Sequence, residues 1–570
     1  MFGQFSLTTL VLFLPLVGFT IILFLNGETK KQEIKWTAFA TTIVTFLVSL
    51  LLWAGFDHSN PDLQMIHRFN WLNIQVGQTL IHSEYFVGVD GLSLLLILLT
   101  TFIMPIAVLA SFSMGVLEER GRQKLYYCFL LMLEWAMLGV FMIQDLIIFY
   151  IFWEVTLVPM YFLVLIWGGD RRVYAAIKFF LYTMAGSILM LIAILYVANA
   201  TGTFVLPEII AKVNAPGWSW ANTGAASASE MTGPLLFFAF FIAFAIKVPV
   251  WPFHSWLPDA HVQAPTTGSV ILAGVMLKMG TYGLVRFNLA MFPKESIQFA
   301  PVIGVLAVIG IIYGAWVCYA QTDVKKLVAY SSVSHLGFVV LGIFALNAQG
   351  VQGATLQMIN HGISTGGLFL IVGILYERYH TKEMSAFGGI WSKAPALGAI
   401  ALVIALSSMG LPGLNGFVGE FTILLGSIGS KYLGFFFTLF ATLGVIMSAV
   451  YILYMYQGVF MGDWKAPAHA DGHGDSHDAH DDHGHSTGDD GSSVLKLKWN
   501  EWAVLIPILI MIFWLGLRPG GFFGVMDTAT NQLVARVEAA NTSTIAIAPA
   551  EAQPTALPLQ STAVATGESK

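Results

Sequence analysis

The sequence predicts an all-α polytopic membrane protein with about fourteen transmembrane helices, and three observations predict it. Apolar residues make up 56% of the 570-residue chain and charged residues 11%, against roughly 45–50% and ~25% in soluble domains. A soluble body of this size would lack polar surface to cover its core, and a bilayer removes that need. Apolar runs of ~20 residues, enough to cross ~30 Å of hydrocarbon, recur along the chain. Basic residues alternate between the loops joining these runs: odd-numbered loops carry 17 of the 27 Lys and Arg, and even loops with the C-terminal tail carry 8. By the positive-inside rule the odd loops face the cytoplasm and both termini the periplasm. The remaining two, Lys247 and Lys278, fall inside spans.

Taken in order, the spans are read at 5–25, 36–55, 86–114, 125–143, 146–167, 176–199, 234–252, 266–287, 298–320, 327–347, 353–376, 396–428, 434–460 and 500–518. The first apolar run, Leu7–Leu25, precedes Lys30, Lys31 and Lys35. A cleaved leader has the opposite order, so this run is read as a first transmembrane helix. Spans seven and twelve are expected to be broken: Lys247 is followed by Pro249 and Pro252, and Glu420 follows the Gly410–Gly419 run containing Pro412. Interrupted helices five spans apart fit two inverted five-helix repeats, spans 4–8 and 9–13. The expected organisation is 1–114 (helices one to three), 125–287 and 298–460 (the repeats), 465–498 (a His/Asp-rich cytoplasmic loop), 500–518 (the last helix) and 519–570 (a low-complexity tail read as disordered).

Charged side chains at membrane depth are costly and mark ion or proton paths. Candidates are Glu134 in span four, Glu154 in span five ahead of Pro159, Lys247 in span seven and Lys278 in span eight. His335, His361 and Glu420 follow in spans ten, eleven and twelve. One such group is often a buried tie between helices. This number of carboxylates, lysines and histidines exceeds what packing needs, because a buried ion pair stabilises poorly. The chemistry suits protons: a desolvated lysine holds its proton less tightly, a nearby carboxylate restores that hold, and imidazole titrates near neutrality.

The net charge of -6 gives no sign of a nucleic-acid partner. Cys128 and Cys318 are too few for an iron–sulfur cluster. Neither GxGxxG after a strand nor GxxxxGK[ST] occurs, so no nucleotide or other cofactor is expected on this chain. His254, Asp259 and His261 read as a structured interfacial loop rather than a metal site. The His469–His485 run reads as a solvated acidic linker.

Several blocks resemble one family. FWEVTLVPMYFL around Glu154, IKVPVWPFHSWLPDAHVQAPT around Lys247, YSSVSHLGF at His335, NHGISTGGLF at His361 and GLPGLNGFVGEF at Glu420 are similar to the antiporter-like membrane subunits of respiratory complex I, NADH–quinone oxidoreductase. The likeness covers roughly residues 80–460. The glutamate at 420, where the L type carries lysine, points to the M type. The resemblance implies fourteen helices and the two inverted repeats. It places the fifth-helix glutamate at Glu154, the seventh-helix lysine at Lys247 and the central lysine at Lys278. It implies neighbouring antiporter-like and other membrane subunits as partners, lipid around them, and a bacterial inner membrane (an organelle inner membrane in a eukaryote). NADH, FMN, iron–sulfur clusters and quinone would sit in partner subunits. Two other readings use the same residues: a subunit of a multisubunit cation/proton antiporter, and a membrane scaffold in which the buried charges serve assembly alone.

Overall fold

A computed structural model describes residues 6–76, 79–223, 229–466 and 495–547. Among these, twelve helices are long and apolar enough to cross a membrane, and the chain is a multi-pass membrane protein. In chain order the principal elements begin with α1 Leu7–Phe24, α2 Lys31–Ala54, β1 Gln64–Val76, β2 Thr79–Val89, α3 Gly91–Ala110, α4 Gln123–Met142, α5 Leu146–Trp167 and α6 Arg172–Thr201. The chain continues through α7 Leu206–Val213, α8 Thr232–Lys247, α9 Trp256–Gln263, α10 Thr266–Leu289, α11 Pro293–Tyr319, α12 Val324–Phe344 and α13 Ala348–Tyr379. It ends with α14 Pro395–Ser408, α15 Asn415–Ile428, α16 Phe435–Phe460, α17 Trp499–Leu517 and α18 Gly520–Ile547.

Short polar side chains start these helices where the sequence changes from loop to apolar run. Asp90 caps α3 and forms a reciprocal capping box with Ser93. Asp145 accepts from the amides of Ile147 and Ile148 to start α5, Asp323 from Lys326 to start α12, and Asn347 from Gly350 to start α13. Burial then sorts the helices. The apolar windows of α10 and α13 are wholly buried, while those of α2 and α16 are 28% buried and belong to the periphery. So α10 and α13 form the axis of the molecule, with α3, α12, α15 and α17 packed around them.

Both expected interruptions are present. Between α8 and α9 the chain turns through Val248–Ser255; Val250 donates to the Ala245 carbonyl at 2.7 Å and the Trp256 indole to that of Ile246 at 2.8 Å, which satisfies groups the break would orphan. Between α14 and α15, Gly410 and Gly413 adopt φ of 79° and 94°, a left-handed turn that side chains rarely tolerate. There Asn360 of α13 donates to the Asn415 carbonyl at 2.7 Å, and Asn415 returns a bond to the Asn360 carbonyl at 3.3 Å. The central helix α10 is uneven as well, with π-helical turns at Leu272–Met276 and Leu284–Leu289 on either side of Lys278.

Three readings need correction. The start of span three, 86–89, is strand: β1 and β2 form an antiparallel hairpin that ends at Val89. Phe86–Val89 is apolar and nearly continuous with α3, so a window scored for apolar content alone runs the strand end into the helix. The 254–261 segment is not an interfacial loop; most of it is α9, with His261 fully buried against Phe369. The tail is not disordered up to residue 547: 520–547 is helix α18. Phe522, Val525, Met526, Ala529, Leu533 and Val537 are buried, a one-sided stripe at helical spacing too dilute to register as an apolar run. The His469–His485 run and residues 548–570 lie outside the described residues.

Candidate functional site

Lys247, Lys278 and Glu420 each lie at or beside one of these irregularities. Lys247 is the last residue of α8 and is 2% exposed. Its ammonium lies 5.3 Å from the Trp153 ring and 5.8 Å from the Phe179 ring, so cation–π contact replaces part of its lost hydration. Thr156 Oγ1 is 3.4 Å away. Glu154, the residue after Trp153 in α5, is within electrostatic reach of Lys247 but forms no ion pair with it. It is only half-buried, because its stripe on α5, with Ile151 and Val158 42% and 41% exposed, faces out of the chain. Glu134 in α4 is completely buried, and both its oxygens lack a hydrogen-bond partner among the described residues.

The second half of the site is connected. Lys278 sits on α10 between the two π turns and is wholly buried. It donates to the carbonyl of Ala273, in the widened turn just before it, and to His361 Nδ1 at 2.7 Å. The helices meet here because two glycines face each other: a Cβ on Gly362 would come within 2.7 Å of the Gly274 carbonyl oxygen. The His361 ring lies 5.9 Å from that of His335 in α12, centroid to centroid. His335 Nδ1 donates to Glu420 Oε1 at 2.7 Å, and its Nε2 accepts from the Tyr451 hydroxyl at 3.2 Å. Gln357 also donates to Glu420 Oε1, at 3.1 Å. Glu420 lies in the second turn of α15, just past the break, and is 3% exposed. Lys278, His361, His335 and Glu420 thus form one buried line of titratable groups. Among the described residues neither Glu420 Oε2 nor His361 Nε2 has a protein partner: the carboxylate oxygen can accept a proton, and Nε2, which bears the hydrogen when Nδ1 accepts from Lys278, has one to give.

Sequence reasoning missed the groups that orient this line, Gln357, Tyr451, Asn360 and Asn415, because neutral polar residues in apolar helices carry no distinctive signal. It also left Arg286, at the edge of span eight, out of the candidates. The structure puts Arg286 in α10, paired with Asp90 and bonded to Gln144 Oε1 at 2.8 Å. Its spacing of eight from Lys278, two helical turns on one face, was the available signal.

On the side of the basic loops a cavity of about 380 Å³ is lined by Arg120, Asp170, Gln263, Lys325, Glu377 and Lys382, among others. Lys325 donates to the Ala264 carbonyl at 2.6 Å and Lys382 to that of Val262 at 2.8 Å. Burial lowers the proton affinity of Lys382 below the ordinary lysine value, with the carboxylates of Asp323 and Asp170 opposing it. Behind the cavity wall, the His261 ring is within electrostatic reach of both Lys325 and Lys278.

A helical membrane body with two interrupted helices and a buried line of lysine, histidine and glutamate defines an antiporter-like membrane subunit. The chain belongs to the family described as NADH:quinone oxidoreductase/Mrp antiporter, which matches residues 144–448. The amino-terminal family of NADH-ubiquinone oxidoreductase chain 4 matches residues 43–140. NADH-quinone oxidoreductase subunit M of Rhodobacter capsulatus is 44% identical over 467 residues, 80% of this chain and 87% of that one. NADH-ubiquinone oxidoreductase chain 4 of Arabidopsis thaliana is 38% identical over 531 residues, covering 93% and 97%. A chain of respiratory complex I from Thermus thermophilus with bound NADH superposes with a TM-score of 0.75 at 28% identity, covering 93% of this chain and 99% of that one. An archaeal membrane-bound sulfane sulfur reductase shares the fold, with a TM-score of 0.72 at 23% identity over 90% of this chain and 76% of that one.

Proposed function

We propose that this chain is a proton-translocating membrane subunit of NADH–quinone oxidoreductase, coupling quinone reduction in partner subunits to proton pumping. The buried line from Lys278 through His361 and His335 to Glu420 carries the reading. Its members exchange protons by hydrogen bonding and small rotations, with no redox group on the path. NADH, FMN, iron–sulfur clusters and quinone belong to the partners.

Glu154 tunes the proton affinity of Lys247, because their distance, unfixed by an ion pair, sets how strongly the carboxylate stabilises the ammonium. Lys278 receives the proton and passes it by His361 and His335 to Glu420, which releases it on the far side. The cavity at Lys325 and Lys382, with His261 behind it, supports intake from the basic-loop side. Glu134 is a further buried carboxylate on the Lys247 side. The outward stripe of Glu154 supports a neighbouring membrane subunit, or lipid, against α5. The full reading has fourteen crossings, counting the two interrupted ones, and two inverted repeats. Both termini lie on the periplasmic side of a bacterial inner membrane.

The test is proton pumping by the assembled complex carrying Lys247→Ala or Glu154→Ala. Quinone reduction with little coupled pumping is expected, and normal translocation in both variants sinks the assignment. The family shared with Mrp antiporters favours one other reading, a multisubunit cation/proton antiporter. Copurification decides: a hydrophilic arm with flavin and iron–sulfur clusters supports the first, and its absence the second.

A further inference from the structure

We propose that Arg286, held by Asp90 and Gln144, is an electrostatic plug. It closes the hairpin-side end of the polar path beneath Lys278, so that a proton on Lys278 moves sideways to His361 rather than leaking along α10. The inference rests on the reading of Lys278 as a proton carrier.

Lys278, Tyr282 and Arg286 recur every four residues and share one face of α10. Lys278 and Tyr282 are 0% and 3% exposed, and the Arg286 side chain is 16% exposed. Eight residues at 1.5 Å each put the two Cα positions about 12 Å apart along the helix. Between them the Tyr282 hydroxyl donates to the Phe141 carbonyl at 3.3 Å, near the end of α4. A line of polar groups therefore leads from Lys278 toward the hairpin side, and something must stop protons from following it.

The guanidinium stands at its end. One amino group binds the carboxylate of Asp90, the residue that caps α3, and the other binds Gln144 Oε1 at 2.8 Å. Asp90 and Gln144 are 5% and 1% exposed. Above them α18 lies directly on the start of α3, since a Cβ on Gly91 would come within 1.9 Å of the Val525 carbonyl oxygen. Arg536 of α18 is within electrostatic reach of both Arg286 and Asp90 and adds a second positive charge.

A guanidinium keeps its proton at any accessible pH, so it cannot relay one. Fixed in a poorly polarisable setting it repels an approaching cation, as arginines do in pores that exclude protons. Asp90 alone would be an acceptor inviting the leak. Arg286 occupies that acceptor and cancels its charge.

The experiment uses the whole complex in sealed membrane vesicles. Arg286→Met should assemble and reduce quinone, move fewer protons per electron, and pass protons several-fold faster than the natural protein after an imposed pH step. Arg286→Lys keeps the charge without the two-pronged geometry and should stay tight. If Arg286→Met does not assemble, Arg286→Gln, which can still hydrogen-bond Asp90 but carries no charge, takes its place. It should assemble and leak. Tight vesicles with an unchanged proton-to-electron ratio overturn the plug, as does equal leakage in Arg286→Lys and Arg286→Met. Failure of both Arg286→Met and Arg286→Gln to assemble makes the pair a structural tie and overturns it too. Lys278→Met separates the two ideas. Normal pumping there defeats the carrier reading, whereas lost pumping there with a tight Arg286→Met defeats the plug alone.

Discussion

Around Lys247 the polar groups stand apart, whereas around Glu420 they are bonded almost end to end. Lys247 has two aromatic faces and one distant hydroxyl for company, and Glu154 senses it without touching it. Glu420 has His335 and Gln357 on one oxygen, and His335 has Tyr451 behind it. The difference follows from how the helices meet. Lys247 ends a helix at a proline break, where no polar neighbour is fixed opposite. Glu420 begins one beside α13, whose Gln357, Asn360 and His361 all point into the axis. A loose pair suits a group whose charge must respond to a neighbour. A tight line suits rapid transfer along a fixed route.

On the proposed route Lys278 comes between the two regions, so its loss should do the most damage. Lys278→Met keeps the volume and suits an apolar helix, so the complex should assemble while coupled pumping falls about tenfold or more, a barrier of at least ~1.4 kcal/mol. Pumping would be followed in vesicles as acidification per NADH oxidised. Gly362→Ala should come next. Its methyl meets the Gly274 carbonyl and pushes α10 from α13, lengthening the 2.7 Å bond between Lys278 and His361. A several-fold loss of pumping with quinone reduction intact is expected, and an unaltered ratio would show that this contact is not on the route. Tyr451→Phe removes one oriented hydroxyl from the tight region and should slow pumping by about twofold, within the range of one neutral hydrogen bond. Thr156→Val, its counterpart in the loose region, should change the rate least, because its 3.4 Å contact with Lys247 is weak. A larger effect for Thr156→Val than for Tyr451→Phe would reverse the comparison.

A third region, the hairpin, gives a control outside the membrane. Glu208 of α7 bonds Arg68 at 2.8 Å and His82 at 3.0 Å, stitching α7 to the strands. Burial works to raise its proton affinity, but the Thr203 hydroxyl and the charges of His82 and Arg68 outweigh it and hold the carboxyl below its ordinary value. Glu208→Gln should loosen the hairpin, seen as faster amide exchange in β2, and leave the proton-to-electron ratio unchanged.

The sequence by itself determined that the chain lives in a bilayer, where its helices run and where two of them break. Those properties are local: apolar length, proline and glycine position, and the alternation of basic loops. It also singled out Glu154, Lys247, Lys278 and Glu420, because a charge in an apolar run stands out wherever it packs. Only the tertiary structure decided which charges touch. Lys278 meets His361, 83 positions away, because Gly274 and Gly362 let two backbones close together. Arg286 found its partner in Asp90, 196 positions away. The 520–547 segment became a helix because its dilute apolar stripe found α3 and α13 to cover it. Contacts between residues so far apart depend on how whole helices pack, and no window of neighbouring residues contains that information.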